Sequence, residues 1–238
     1  GDEVACVAAI NESIADQALK LIEVEYEVLE PVLDFETAFE HKSIIHPEDG
    51  INEMFPTGFE PKKNVAASYH MHVGDVEATL AKCDVVIDEA YYTQAQAHAM
   101  LEPHTANARL DYLNRLVIYT ATQTPYHVRR IISQTLDLPI SKIRVIKPRV
   151  GGGFGGKQAL HGEFFVALVT LKTKKPAKII FSRQEVFESS YTRHPMRIRM
   201  RLGASKDGTL KAIDCYSLSD TGAYGEHALT VFMITGSK

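Results

Sequence analysis

Apolar and polar positions alternate almost without fault along Ile22-Glu23-Val24-Glu25-Tyr26-Glu27-Val28, the two-residue period of a strand with one buried and one wet face. The pattern predicts a strand over 23–29 and a shorter one over 4–9. Between them Ile14, Ala18 and Leu21 recur at helical spacing behind Asn11 or Ser13 as a cap, predicting a helix over 11–21. Glu30 to Val65 loses periodicity and gathers Pro31, Pro47, Pro56, Gly58 and Pro61, the composition of a linker over a surface. From Tyr69 onward strands are predicted over 85–92, 106–110, 116–120, 143–147, 177–181, 196–202 and 210–218. Asp111-Tyr112-Leu113-Asn114 and Lys206-Asp207-Gly208 are turn sequences. Two helices are predicted in this second region. Thr124 to Leu136 carries Pro125 in its first turn and Val128, Ile131 and Ile132 on one face; the other runs from about Gln158 to Lys172.

Composition narrows the class. The 238 residues are 45% apolar with a net charge of −4, which describes a globular chain with enough mass for a substantial core. The longest apolar run, Phe164 to Val169, is far short of the roughly 20 residues of a membrane helix, so no membrane span is expected. An acidic balance removes the electrostatic reason to expect nucleic acid. The basic stretch Arg193 to Arg201 alternates with Met196, Ile198 and Met200, and reads as a solvated strand face. Cys6, Cys83 and Cys215 are too scattered for a disulfide framework or an iron–sulfur site, which fits a reducing, cytoplasmic setting. His70 and His72 share a strand face but make an incomplete metal site, and read as surface histidines. The opening Gly1-Asp2-Glu3-Val4, without Met or signal-peptide layout, suggests the interior of a longer protein.

One segment stands above this background. Val150-Gly151-Gly152-Gly153-Phe154-Gly155-Gly156-Lys157-Gln158 has five glycines in six positions, set between a predicted strand and a predicted helix. Exposed backbone N–H groups at a helix start attract anions, and glycines let another group approach closely. Gly151-x-Gly153-x-x-Gly156 formally matches a dinucleotide fingerprint, and Gly151-x4-Gly156-Lys157 most of a P-loop. Both matches are poor. Gln158 replaces the magnesium-binding Ser or Thr of a P-loop, the following strand ends without the ribose-gripping acid, and Phe154 obstructs a phosphate cradle.

A third pattern is closer. The string GGGFGGK resembles the loop of the molybdenum-binding subunits of the xanthine dehydrogenase and aldehyde oxidoreductase family, the molybdenum hydroxylases. Thr120-Ala121-Thr122-Gln123-Thr124-Pro125 is similar to the family's strand-end Ser/Thr-x-Gln segment, and Leu101-Glu102-Pro103-His104 to its Glu-Pro-His stretch. Arg193-His194-Pro195, Lys206 to Leu210 and Asp220 to Tyr224 resemble three further blocks in the same order. The beginning resembles the end of the preceding hammerhead domain.

The resemblance implies an α+β fold: the C-terminal part of an α/β hammerhead domain over 1–40, a linker over 41–66, and the first part of a molybdopterin-binding mixed α/β domain over 67–238. It implies a molybdopterin cofactor, in plain or cytosine dinucleotide form, with [2Fe–2S] clusters and FAD on partner chains or domains and water-derived oxygen inserted into an aldehyde or N-heterocycle. The other partners implied are the remainder of the molybdenum subunit and a second copy of the assembly. By the same resemblance Gln123 would hydrogen-bond the oxo side of the metal through its amide N–H. Gly153, Phe154 and Gly155 would line the cofactor, with a backbone N–H near the oxo group. Gln158 stands where xanthine-oxidising members carry a Glu; a neutral amide cannot share a proton with a purine, which puts xanthine in doubt. No direct metal ligand and no catalytic base is expected here, the family's Glu base and its Arg-Gly-Phe-Gly loop being expected beyond Lys238. Glu102 and His104 tempt as an acid–base pair, but Pro103 breaks the strand between them, and a structural hydrogen-bonding role is expected for Glu102. A phosphate- or nucleotide-binding domain built on Gly151–Lys157 is the alternative reading, and a non-catalytic relative of the fold a further one.

Overall fold

The computed structural model describes residues 2–48, 57–225, 227 and 230–231. In chain order its main elements are α1 (Glu12–Leu19), α2 (Val76–Leu80), β1 (Val85–Thr93), β2 (Thr105–Leu110), β3 (Leu116–Thr120), α3 (Pro125–Thr135), β4 (Ile143–Ile146), α4 (Glu163–Thr173), β5 (Ala177–Ile180), α5 (Arg183–Ser189), β6 (Met196–Ala204) and β7 (Leu210–Ser219). The predicted strands from residue 85 onward all form, within one or two residues at either end. The chain divides into two compact units, residues 1–26 with 97–192, and residues 27–96 with 193–238.

The first unit is built on a mixed four-stranded sheet ordered β4-β3-β2-β5. β3 runs antiparallel to β2 and parallel to β4, the parallel pair being joined through α3 as a crossover demands. Leu116 and Ile118 of β3 pack with Val128 and Ile132 of α3 and with Val166 and Ala167 of α4, forming a closed apolar cluster. Ala106 and Ala108 supply small side chains at that contact, and Thr170 Oγ1 donates to the Ala108 carbonyl at 3.2 Å. α4 begins at Glu163, about one turn later than its apolar pattern suggested, because Gln158 and its neighbours are held as loop by partners described below. α5, which the apolar pattern missed, starts with a capping box: Glu185 N–H donates to Ser182 Oγ at 3.1 Å and Ser182 N–H to Glu185 Oε2 at 2.6 Å.

The N-terminal stretch corrects the sequence reading. α1 forms, capped by Asn11, whose Oδ1 accepts from Ile14 N–H at 3.0 Å. Neither flanking stretch is a strand. Alternation creates a face that could be buried, but a strand exists only through its ladder, and residues 4–9 and 23–29 pair with no strand among the described residues. Their apolar side chains stay mostly in solvent, Val28 at 90% exposure and only Val7 half-buried.

The second unit carries an antiparallel sheet ordered β1-β6-β7. Arg197, Arg199 and Arg201 project from β6 and are all paired: Arg199 grips Asp88 with two bonds of 2.9 and 2.6 Å, Arg197 reaches Glu36 at 2.7 Å, and Arg201 bridges Glu77 and Asp214. The basic run is a charge-matched strand face, as its alternation indicated. Gly203 lets the end of α2 come close, since a Cβ there would lie 2.9 Å from Leu80 Cδ2 and 2.6 Å from Sγ of Cys83 just beyond the helix. Within the stretch read as linker, Asn64 donates to the carbonyls of Ala38 and Ser43 and accepts from Ile45 N–H, while residues 49–56 lie outside the described residues. His70 and His72 are both exposed.

Candidate functional site

Parallel strands β3 and β4 end side by side, and the two segments leaving them form the site. After β3 comes Ala121-Thr122-Gln123-Thr124; after β4 comes the glycine loop. They are stitched together at several points. Gln123 N–H donates to the Lys157 carbonyl at 2.8 Å, Thr122 Oγ1 to the same oxygen at 3.2 Å, and Thr124 Oγ1 to the Gln158 carbonyl at 2.6 Å. Gln123 Oε1 accepts from Gly155 N–H at 3.0 Å and Lys157 N–H at 3.2 Å. Two donors on one oxygen settle the amide orientation: the opposite rotamer would set NH2 against two N–H groups. The Gln123 NH2 therefore turns away from the loop, and it has no partner among the described residues.

A Cβ on Gly151 would lie 2.7 Å from Glu102 Cβ. A Cβ on Gly153 would sit 2.4 Å from Gln123 Oε1, and one on Gly156 would lie 2.8 Å from His98 Nδ1. Gly152 and Gly155 have φ of +96° and +99°, outside the range of ordinary side chains. Phe154 adopts φ +54° and holds its ring 75% exposed at the loop's crest.

Lys157 anchors the loop from beneath. Its side chain is fully buried, and Nζ donates to Glu102 Oε2 at 2.7 Å; the same oxygen accepts from Gly151 N–H at 2.7 Å. Glu102 thus holds both ends of the loop. Burial pushes its carboxyl pKa up, but the bonds from Lys157 and Gly151, with the Lys157 charge, leave it below the ordinary carboxylate value.

Behind the loop lies a group the sequence did not disclose. His104 and His161 pack with ring centroids 3.9 Å apart beside Phe181. Burial first, then the His161, Lys157, His98 and Arg183 charges, pushes His104 down to about 3. Burial takes His161 to about 4, opposed by a hydrogen bond with the Gly156 backbone. Both are neutral near pH 7. Glu163 at the start of α4 accepts from Thr120 Oγ1 at 2.6 Å and from His161 N–H at 2.9 Å, locking the exit of the loop to the end of β3. The Glu-Pro-His spacing pointed to His104; no sequence signal pointed to His161 as its neighbour.

The arrangement answers the phosphate-loop alternative. The N–H groups of Gly151, Gly155 and Lys157 are spent on Glu102 and Gln123, the lysine that a P-loop would aim at phosphate is buried in an ion pair, and no helix starts until Glu163. The loop is instead a rigid wall presenting the Gln123 NH2, the Phe154 ring and the Cβ-free face of Gly155. Gln158, half-buried, adjoins Gly155: its Nε2 lies 4.0 Å from where a Gly155 Cβ would stand. Gln123, Gly153, Phe154, Gly155 and Gln158, expected together, are together.

A wall of neutral donors on a glycine framework is the surface of a cofactor-binding domain, and the chain belongs to the molybdopterin cofactor-binding domain family, whose model matches residues 59–238. Among its relatives, a probable hypoxanthine oxidase of Escherichia coli O157:H7 is 39% identical over 97% of this chain and 27% of that protein. The nicotinate dehydrogenase large molybdopterin subunit of Eubacterium barkeri is 36% identical over 97% of this chain and 51% of that subunit. The chain thus spans between about a quarter and half of these relatives. Quinoline 2-oxidoreductase from Pseudomonas putida 86 superposes with a TM-score of 0.74 at 28% identity, covering 91% of this chain and 26% of that one. The aldehyde oxidoreductase of Desulfovibrio gigas shares the fold, with a TM-score of 0.80 at 23% identity over 95% of this chain and 24% of that one. The expected α+β fold of a molybdopterin-binding domain is the fold observed.

Proposed function

We propose that this chain supplies one wall of the active site of a molybdenum hydroxylase acting on an aldehyde or an N-heterocycle of the nicotinate, quinoline or purine kind. The observation that carries the reading is the pinned carboxamide of Gln123, which turns an NH2 donor outward beside Phe154 and Gly155. In this role Gln123, Gly153, Phe154 and Gly155 hold the molybdopterin cofactor, and Gln158 faces the substrate. When bound, that cofactor supplies the two-electron oxidation by which water-derived oxygen enters the substrate. The residues here fit it chemically: neutral N–H donors and an open glycine face accept an electron-rich group without adding charge. Gln158 offers a hydrogen bond but no exchangeable carboxyl proton, so it orients a substrate without sharing a proton with it. That favours substrates other than xanthine.

The same reading assigns residues 1–40 to the end of a hammerhead domain, 41–66 to a linker and 67–238 to the first part of the cofactor domain. It places the chain with the rest of a molybdenum subunit, with iron–sulfur and FAD partners, in a cytoplasmic assembly of two copies, with the cofactor in its plain or cytosine dinucleotide form. No described helix is long and apolar enough to cross a membrane.

The decisive pair of variants, in the complete subunit, is Gln123→Glu and Gln123→Ala. The carboxylate introduced by Gln123→Glu keeps an oxygen for the Gly155 and Lys157 N–H groups but removes the outward donor, so the unfolding transition of that variant stays in place. We expect turnover or molybdenum retention to fall about 10- to 100-fold in both variants. Wild-type turnover and metal content in Gln123→Glu would remove Gln123 from the cofactor wall.

A further inference from the structure

Residues 111–150 carry seven Lys or Arg and two acids, Asp111 and Asp137, in a chain whose total charge is −4. The structure gathers part of that excess around a cavity of about 310 Å³ between the first turns of α3 and the edge strand β4, away from the glycine loop's own side chains. Arg115, Arg129, Arg144 and Lys147 line it, with Ser141 and Tyr126, and no lining residue is acidic. Two of the cations are held rigidly. Arg129 donates through Nε and Nη2 to the carbonyls of Ile140 and Ile143, leaving Nη1 uncommitted, and Arg115 is tied to Asp111 at 2.8 Å. The other two, Arg144 and Lys147, are exposed and form no ion pair among the described residues. By contrast, the arginines of β6 in the second unit are all matched by carboxylates.

The three cations without a carboxylate, Arg129, Arg144 and Lys147, repel each other around one concavity and are relieved by a bound polyanion. The volume is that of a small-molecule site, and planar guanidinium groups with a lysine beside them suit phosphate oxygens. We propose that this cavity is a binding site for a small phosphorylated ligand bearing a pyrophosphate group. Arg144 and Lys147 are its contact cations, Arg129 its fixed positive floor, and Tyr126, 84% exposed, a platform for an attached base or ring. The inference is independent of the molybdenum reading.

The test is calorimetric titration of the full chain with inorganic pyrophosphate. One saturable site is expected, weakened about tenfold or more by Arg144→Glu with Lys147→Glu, and unchanged by Lys211→Glu, an exposed cation of the other unit. ADP identifies the source. Binding tighter than pyrophosphate, with the gain lost in Tyr126→Ala, assigns a nucleotide; equal binding assigns a bare pyrophosphate group. Protection of Lys147 from acetylation by pyrophosphate reads the same site in the wild-type chain if the double variant does not fold. The proposal is overturned by absence of saturable binding, by equal weakening in Lys211→Glu, by citrate binding as tightly as pyrophosphate, or by binding of an acidic peptide alone, which would make the face a protein-docking surface.

Discussion

Gly153 has no room for a methyl group, because the space it would fill belongs to Gln123 Oε1, 2.4 Å away. Gly153→Ala is expected to push the carboxamide off the loop, breaking both of its N–H bonds and destabilising the chain by about 1–3 kcal/mol. Gly155 faces space instead, with no atom within 3.4 Å of an added Cβ. Gly155→Ala is strained only by its φ of +99°, and should leave Gln123 in place. Denaturant midpoints with amide exchange at Lys157 would separate the two: only Gly153→Ala should expose that N–H. The Glu102–Lys157 pair predicts a second asymmetry. Removing the carboxylate strands a fully buried ammonium, whereas removing the ammonium leaves a carboxylate that is one-third exposed. Glu102→Ala should therefore cost about 3–5 kcal/mol, and Lys157→Met distinctly less. Equal losses in urea titrations would show that packing, not charge, holds the loop. At this scale the glycine loop and Gln123 were legible because their residue types are costly or unusual where they stand. The double acceptance by one Glu102 oxygen was not, since nothing in the sequence says which carboxylate, 55 residues from the lysine, comes to face it.

Among elements, β3 was read from its apolar run to the residue, and its burial explains why: Leu116, Val117 and Ile118 are all within 3% of full burial. Ile118→Ala should destabilise by about 2–5 kcal/mol as a central-strand cavity, measured by chemical denaturation. Val24 alternates just as cleanly but is 42% exposed and unpaired with any described strand, so Val24→Ala in this chain should change stability by about 0.5 kcal/mol or less. The comparison isolates what periodicity means. It reports a face available for burial, and only a neighbouring strand turns that face into a sheet. α4 illustrates the same limit at an end: its apolar content marked the helix, but the bonds of Thr124 to Gln158 and of Glu163 to His161 decided where it starts. α5 was legible from Ser182 and Glu185 once capping chemistry is weighed beside hydrophobic spacing.

For the whole molecule, the packed imidazoles of His104 and His161 set the response to acid. Each has a folded pKa below the ordinary 6.5, about 3 for His104 and about 4 for His161, so the unfolded chain binds more protons between those limits. Stability is complete above pH 6.5 and is lost as pH falls toward 4, by about 1.4 kcal/mol per pH unit for each imidazole still neutral in the fold. The lowered Glu102 carboxyl adds a loss of the same sign below its unfolded value of 4.5. Urea midpoints at pH 7, 6, 5 and 4 should fall steadily, and His161→Phe should flatten the decline between 6.5 and 4; an unchanged slope would exclude His161 as a source of it. What the sequence by itself determined was local: strand and helix positions wherever a face had a partner, the need for glycine at 151–153 and 155–156, and the donor chemistry of Gln123. Only the tertiary structure decided which groups meet. Pairing of distant carboxylate and ammonium, packing of two histidines 57 positions apart, and the failure of the N-terminal alternation to become a sheet all depend on long-range neighbours, which periodicity and residue type do not encode.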